Sequence, residues 1–261
     1  MTIQPTLFIS HGSPMLAIED SPARRFLQQL GASLPRPKAI LVASAHWEAA
    51  EGSAVSFAPH PKTMHDFGGF SAELFSIHYP APGAPELAEQ VAALLDAAQI
   101  FVKRSADRGL DHGAWVPLRL MYPAADIPVL QIALMHGAGP VGHERLGAAL
   151  SVLREQNILV IGSGSLTHNL HEFRRQAIDA PPPSWVTEFD MWMTAALHNC
   201  AWEALRDYRR QAPFAERNHP SEEHLYPLFV ALGAAGKAAR AERIHASYQY
   251  GVLAMDVFAF S

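Results

Sequence analysis

Apolar residues in this chain come in short unbroken runs, and three of those runs lead to a histidine. Leu7-Phe8-Ile9-Ser10 stops at His11, and Ala39-Ile40-Leu41-Val42-Ala43-Ser44-Ala45 stops at His46. Ile158-Leu159-Val160-Ile161 passes through Gly162-Ser163-Gly164-Ser165 and reaches His168 shortly after. Continuous β-branched runs of this kind suit the strands of a parallel sheet covered on both faces. Pro128–Leu134 reads as another such strand and Ile100-Phe101-Val102 as a short one. Between the runs the period changes. Leu87, Val91, Leu94 and Leu95 mark a helix over about 84–98. Ser21-Pro22, a cap followed by a residue suited to a first turn, opens a helix running to about Leu30.

Further helices are expected over 112–121, over 140–156, and over 185–209 in one or two pieces. Another is expected from Ser221 to Gly233, with Glu222 and Glu223 in its first turn, where the dipole favours carboxylates. Two strands, about 241–247 and 252–259, close the chain, and 48–84, rich in Gly, Pro, His and Phe, reads as a loop excursion. The expected fold is therefore α/β: a single domain over 1–261 with a central, mostly parallel (mixed) sheet flanked by helices. Ligands bind at the carboxyl ends of the strands in such sheets. The rings of His11, His46 and His168 can then meet in one crevice. Imidazole is the commonest neutral side chain for holding a transition metal, so the first expectation is a histidine-built metal site at the strand C-terminal ends.

Composition narrows the classes. The chain has 261 residues, 49% hydrophobic and 17% charged, an ordinary globular balance with material for a sizeable core. A net charge of -5 with no basic block argues against nucleic acid or an anionic membrane as partner. The one cysteine, Cys200, cannot pair within the chain, which fits a reducing compartment, and its apolar setting suggests a small core residue. No signal peptide is read at the start, and no run nears the roughly 18–20 apolar residues of a membrane span, so a cytoplasmic protein is expected. Monomer and homodimer both stay open. Fourteen histidines are the unusual part of the composition.

Each histidine has a plain reading beside the chemical one. His11, in His11-Gly12-Ser13-Pro14, sits at a sharp turn and could simply bond a loop. His46 closes a seven-residue apolar strand, a costly place for an imidazole unless it is bonded or metallated. The glycine-serine run before His168 could cradle an anion at a helix start. It lacks the endings of a Walker loop or a dinucleotide fingerprint. A helix start would lower the pKa of His168 and suit it to acid/base work. His112 follows a turn and could bind substrate or only cap a helix, and His65 could line a pocket mouth. His224, one turn into the expected helix, reads on its own as a surface histidine. No His-Glu-x-x-His, Cys-x-x-Cys or Gly-x-Ser-x-Gly occurs.

Taken together, the motifs resemble the class III extradiol ring-cleavage dioxygenases, in particular the DOPA-4,5-dioxygenase-like branch, related to the catalytic subunit of protocatechuate 4,5-dioxygenase. The matching pieces are His11-Gly12-Ser13-Pro14, Ser44-Ala45-His46-Trp47, His65-Asp66-Phe67-Gly68-Gly69-Phe70, His78-Tyr79-Pro80-Ala81-Pro82-Gly83, Asp111-His112-Gly113-Ala114-Trp115, His168-Asn169-Leu170, and Glu223-His224 running to Ala231-Leu232-Gly233-Ala234. They span almost the whole chain.

The resemblance implies a metal held by His11, His46 and His224, with His168 as acid/base beside it and His112 as a catalytic, substrate-contacting ring. It implies a catechol and O₂ as substrates and a muconic semialdehyde as product. Ser13, His65 and Tyr226 are further candidates for substrate binding, and Arg174 and Arg175 for a substrate carboxylate. Relatives that cleave protocatechuate use a glutamate where His224 stands. Glu223 is adjacent but should point about 100° away on a helix. Three neutral imidazoles suit Zn(II) as well as the Fe(II) expected for activity. A zinc-bound Lewis-acid hydrolase, or a non-redox metal-binding protein on the same scaffold, is the alternative reading.

Overall fold

The structure, a computed structural model, describes residues 3–173 and 176–261. Its first half holds β1 (Thr6–Ser10), α1 (Pro22–Ser33), β2 (Ala39–Ala49), β3 (Ser53–Ser56), α2 (Ala72–Phe75), α3 (Pro85–Ala97), β4 (Val102–Ser105), α4 (His112–Met121) and β5 (Val129–Met135). The second half holds α5 (Gly139–Ala149), β6 (Ile158–Gly164), α6 (Ser184–His198), α7 (Trp202–Arg206), α8 (Tyr208–Gln211), α9 (Ala215–Asn218), α10 (Tyr226–Ala235) and β7 (Ala241–His245). A two-stranded ribbon of β8 (Tyr248–Gln249) and β9 (Leu253–Ala254) precedes β10 (Val257–Phe260).

Eight strands form one sheet in the order β4-β3-β5-β2-β6-β1-β10-β7. The central four, β5, β2, β6 and β1, are parallel, while β10 runs antiparallel to β1 and to β7. The mixed sheet follows the sequence expectation. One face sends Leu7, Ile9, Ile40, Val42 and Ile161 against α1 and α4. The other sends Leu41, Ala43, Leu130, Ile132 and Val160 against α3, α5 and α10. Every residue of α10 is buried, as a helix apolar all round must be.

Several boundaries differ from those read in the sequence, and the differences bear on function. The excursion over 48–84 contains a strand, β3, and a short helix. The expected 140–156 helix stops at Ala149 and gives way to a tighter turn over Ser151–Gln156. β2 does not close at His46 but runs on to Ala49, with its pairing to β5 slipping between Ala43 and Glu48. A bulge of this kind re-aims the residues it carries, here Ser44 to Trp47. The glycine-serine run is not an anion cradle: Gly162, Ser163 and Gly164 belong to β6. A Cβ on Gly164 would lie 2.1 Å from the His224 carbonyl oxygen, and one on Gly162 would lie 2.0 Å from that of Pro227. Glycine lets the 224–227 segment rest directly on the strand.

The helix expected from Ser221 begins instead at Tyr226, with Pro227 in its first turn, and passes Gly233 to end at Ala235. His224 therefore sits in a turn ahead of α10. Its carbonyl accepts the Ser165 N–H at 2.8 Å, which pins that turn to the end of β6.

Candidate metal centre and substrate cavity

His11 follows β1, His46 rides the bulge of β2, His112 is the first residue of α4, His168 follows β6, and His224 lies in the turn before α10. All five line one cavity of about 300 Å³ with Ser13, Pro14, Asp66, Phe67, Phe70, Leu170, Phe173 and Leu253. A ligand nitrogen from each of His11, His46 and His224 falls within 4.8 Å of the others. Nε2 of His11 and Nε2 of His46 are 2.9 Å apart. Nε2 of His224 is buried and has no hydrogen-bond partner among the described residues. Such an orphaned nitrogen is costly unless something binds it.

The neighbours of these rings set their tautomers. The Ser163 hydroxyl donates its proton to the Gly113 carbonyl, so its oxygen accepts Nδ1–H of His11 at 3.0 Å. Nδ1–H of His224 donates to Glu223 Oε1 at 2.8 Å. In both rings Nε2 is left as a bare lone pair. Glu223 thus points at the His224 ring rather than away from it, because no helix exists there to separate them. Burial, followed by the neighbouring imidazoles, pushes the pKa of His11 and of His224 well below the usual value. Burial and His112 likewise bring His46 to about 4. Neutral imidazoles whose nitrogens gather this closely are what a metal cation requires, so these residues fit one.

Gly113 makes room for the cluster: a Cβ there would meet Ser44 Oγ at 2.5 Å, His46 Cδ2 at 3.0 Å and His11 Cε1 at 3.2 Å. Beneath it Asp111 is fully buried and caps α4. Its carboxylate accepts from Ser44 Oγ at 2.6 Å and from Arg108 and Gln131 at 2.7 Å each. Arg108 also donates to the His46 carbonyl at 3.1 Å. This network ties the bulge to the helix that carries His112.

His168 lies flat on His224, ring centroids 3.5 Å apart and 9° from parallel. Its backbone N–H is held by the Asn218 carbonyl at 3.0 Å. The expected helix start is only a short turn, Leu170–Glu172, capped by Asn169. The His168 pKa is lowered to about 4, and the cause is burial rather than a helix dipole. Ser13 lines the cavity, and its hydroxyl accepts the Met15 N–H. His65 stands outside it, with Nε2 donating to the Ile77 carbonyl at 3.0 Å and its ring edge-on to Phe67.

Tyr226 also lies outside the cavity. Its ring stacks on His143 and its hydroxyl donates to Glu222 at 3.0 Å, within the core under α10. Two residues past His224, it faces the opposite way. Arg174 and Arg175 lie outside the described residues. The sequence reading gave no role to Asp66, Ser163, Glu223 or the Phe67–Phe70 wall. A carboxylate set among His65, Phe67, Gly68, Gly69 and Phe70 was the available signal for Asp66.

The cavity lies at the carboxyl ends of the parallel strands. Residues 5–258 match the family described as the catalytic LigB subunit of aromatic ring-opening dioxygenase, and the chain belongs to that family. It is an aromatic ring-opening dioxygenase of the extradiol type. It is similar to "4,5-DOPA dioxygenase extradiol" of Beta vulgaris, 43% identical over 99% of this chain and 97% of the relative. The protein of the same description from Escherichia coli K12 is 38% identical over 89% and 86%. A solved structure of an uncharacterized protein from Escherichia coli K12 superposes with a TM-score of 0.81 at 33% identity, covering 98% of this chain and 99% of that one. Among the described residues, no helix is long and apolar enough to cross a membrane.

Proposed function

We propose that this enzyme opens the ring of a small catechol, DOPA or a close relative, as one cytoplasmic catalytic domain, with its metal held by His11, His46 and His224. The observation that supports this is the convergence of three imidazole nitrogens, with His11 and His224 buried, in a cavity walled by Phe67, Phe70, Leu170, Phe173 and Leu253. A bound Fe(II) would supply electron transfer between catechol and O₂, chemistry that Zn(II) in the same site could not provide. Both oxygen atoms of O₂ end in the product, a muconic semialdehyde.

The chain's own groups do the remaining work. Phe67, Phe70, Leu170, Phe173 and Leu253 pack against the aromatic ring and exclude water. His168, neutral and beside His224, accepts a proton from a catechol hydroxyl at a ring nitrogen and returns it as the ring opens. His112, across the cavity, bonds the oxygen end of the substrate. Ser13 lines the cavity, while His65 acts only by backing Phe67. No observation favours the Lewis-acid hydrolase reading.

The test is anaerobic loading with Fe(II) and exposure to a panel of catechols, DOPA included, under air. Yellow ring-opened product with matching O₂ uptake is expected. Product from no catechol, with metal correctly bound, would overturn the proposal.

A further inference from the structure

Asp66 is the one carboxylate among the described residues lining the cavity, and it reaches two of the rings there. Its Oδ1 accepts the His112 backbone N–H at 2.9 Å and lies 3.1 Å from Nδ1 of the same ring. Its Oδ2 lies 3.9 Å from Nδ1 of His46. The His46 and His112 rings are themselves only 4.0 Å apart, centroid to centroid. Asp66 is held independently of these contacts. Met64, two residues earlier, accepts the Trp115 indole N–H at 2.9 Å through its carbonyl and gives its own N–H to Leu110 at 2.8 Å. The excursion over 48–84 is thereby tied, just before the carboxylate, to Trp115 of α4 and to Leu110 ahead of that helix.

We propose that Asp66 is a positioning residue, whose carboxylate fixes the tautomer and tilt of His112 so that Nε2 of that ring is presented to substrate. An ionised carboxylate can only accept, so a 3.1 Å approach to Nδ1 requires the proton to sit on Nδ1. With Nδ1 committed, Nε2 is the nitrogen left for the cavity. The second bond, from the His112 backbone N–H, fixes the carboxylate against the ring's own main chain, so the imidazole cannot swing without breaking the pair. The same arrangement sets the reactive nitrogen of histidines at other active sites, where a carboxylate behind the ring holds its tautomer. The excursion thus does more than wall the cavity: it carries the group that orders one of the reacting rings.

Two measurements test this, and only the second rests on the ring-opening activity. In metal-free protein labelled with ¹⁵N at histidine, the wild-type His112 signals should show Nδ1 protonated. Asp66→Ala should lose that preference while the other buried rings keep theirs, and Asp66→Asn, which retains an acceptor oxygen, should keep most of it. In turnover, Asp66→Ala should lower kcat about 10–100-fold with metal content intact, the usual worth of a carboxylate behind an imidazole. In a His112→Ala background the same change should add nothing. A wild-type His112 protonated at Nε2 would overturn the proposal. So would a tautomer unmoved in Asp66→Ala, or an equal loss of kcat with and without His112.

Discussion

Oε1 of Glu223 lies 2.8 Å from Nδ1 of His224, its immediate neighbour in sequence. Adjacent residues on a helix could not meet this way, and the contact exists because both stand in the turn before α10. It makes Glu223 the outer partner of a ring proposed to hold the metal. Glu223→Ala should weaken metal affinity about 10–100-fold, measured by competition with a chelator. The fold should be unaffected, since Glu223 is partly exposed.

His46 and His168 should separate by what they lose. His46→Ala removes one of three converging nitrogens and should empty the site. His168→Ala should keep metal and slow ring cleavage about 10²–10⁴-fold, the range for a positioned acid/base. Metal analysis beside turnover of both variants checks this. An empty His168→Ala site would exchange their roles.

Metal exchange gives a third expectation. After chelation and reloading, Fe(II) should restore O₂ uptake with a catechol and Zn(II) should not. Equal turnover with the two metals would indicate Lewis-acid chemistry.

His143 offers a pH test away from the cavity. It accepts the Met135 N–H at 3.1 Å through Nε2 and donates from Nδ1 to Gly139 at 2.7 Å. Burial lowers its pKa to about 4. The unfolded chain, with an ordinary histidine value near 6.5, binds more protons between pH 6.5 and pH 4, so stability falls as pH drops through that window. At pH 5 this one ring accounts for a loss of about 2 kcal/mol. Urea unfolding at pH 7 and pH 5 should show a smaller difference in His143→Gln than in the wild type, although the variant is the less stable at pH 7.

Gly164→Ala should be poorly tolerated. Its Cβ would fall 2.1 Å from the His224 carbonyl oxygen, a backbone atom with nowhere to go. A cost of about 1–3 kcal/mol is expected. Because the displaced residue is a proposed metal ligand, chelator competition should show weakened binding even at temperatures where the variant stays folded.

The sequence carried much of this architecture, and its failures have identifiable causes. His11 and His168 were legible because apolar strands lead to them. His46 was legible for the same reason, although the bulge that turns it inward leaves no periodic trace. The helix start was misplaced at Ser221 because Glu222 and Glu223 look like a first turn. Pro227, which suits the first turn of a helix and breaks an interior, was the better marker. Reading it would have placed His224 in a turn and freed Glu223 to reach it. Gly162 and Gly164 suit an anion cradle on sequence because their actual need, a backbone pressed against the strand from about 60 residues away, is invisible locally.

The three converging nitrogens come from the first strand, the second strand, and a turn that waits for the last third of the chain. A nascent chain on the ribosome can offer two of them long before the third exists. Contacts so far apart in sequence form late, since the intervening loop must be closed first. Tight metal capture is then an event of completed folding. Chains stalled before α10 would hold only a weak, two-nitrogen site, poorly able to retain a metal ion while still unfolded.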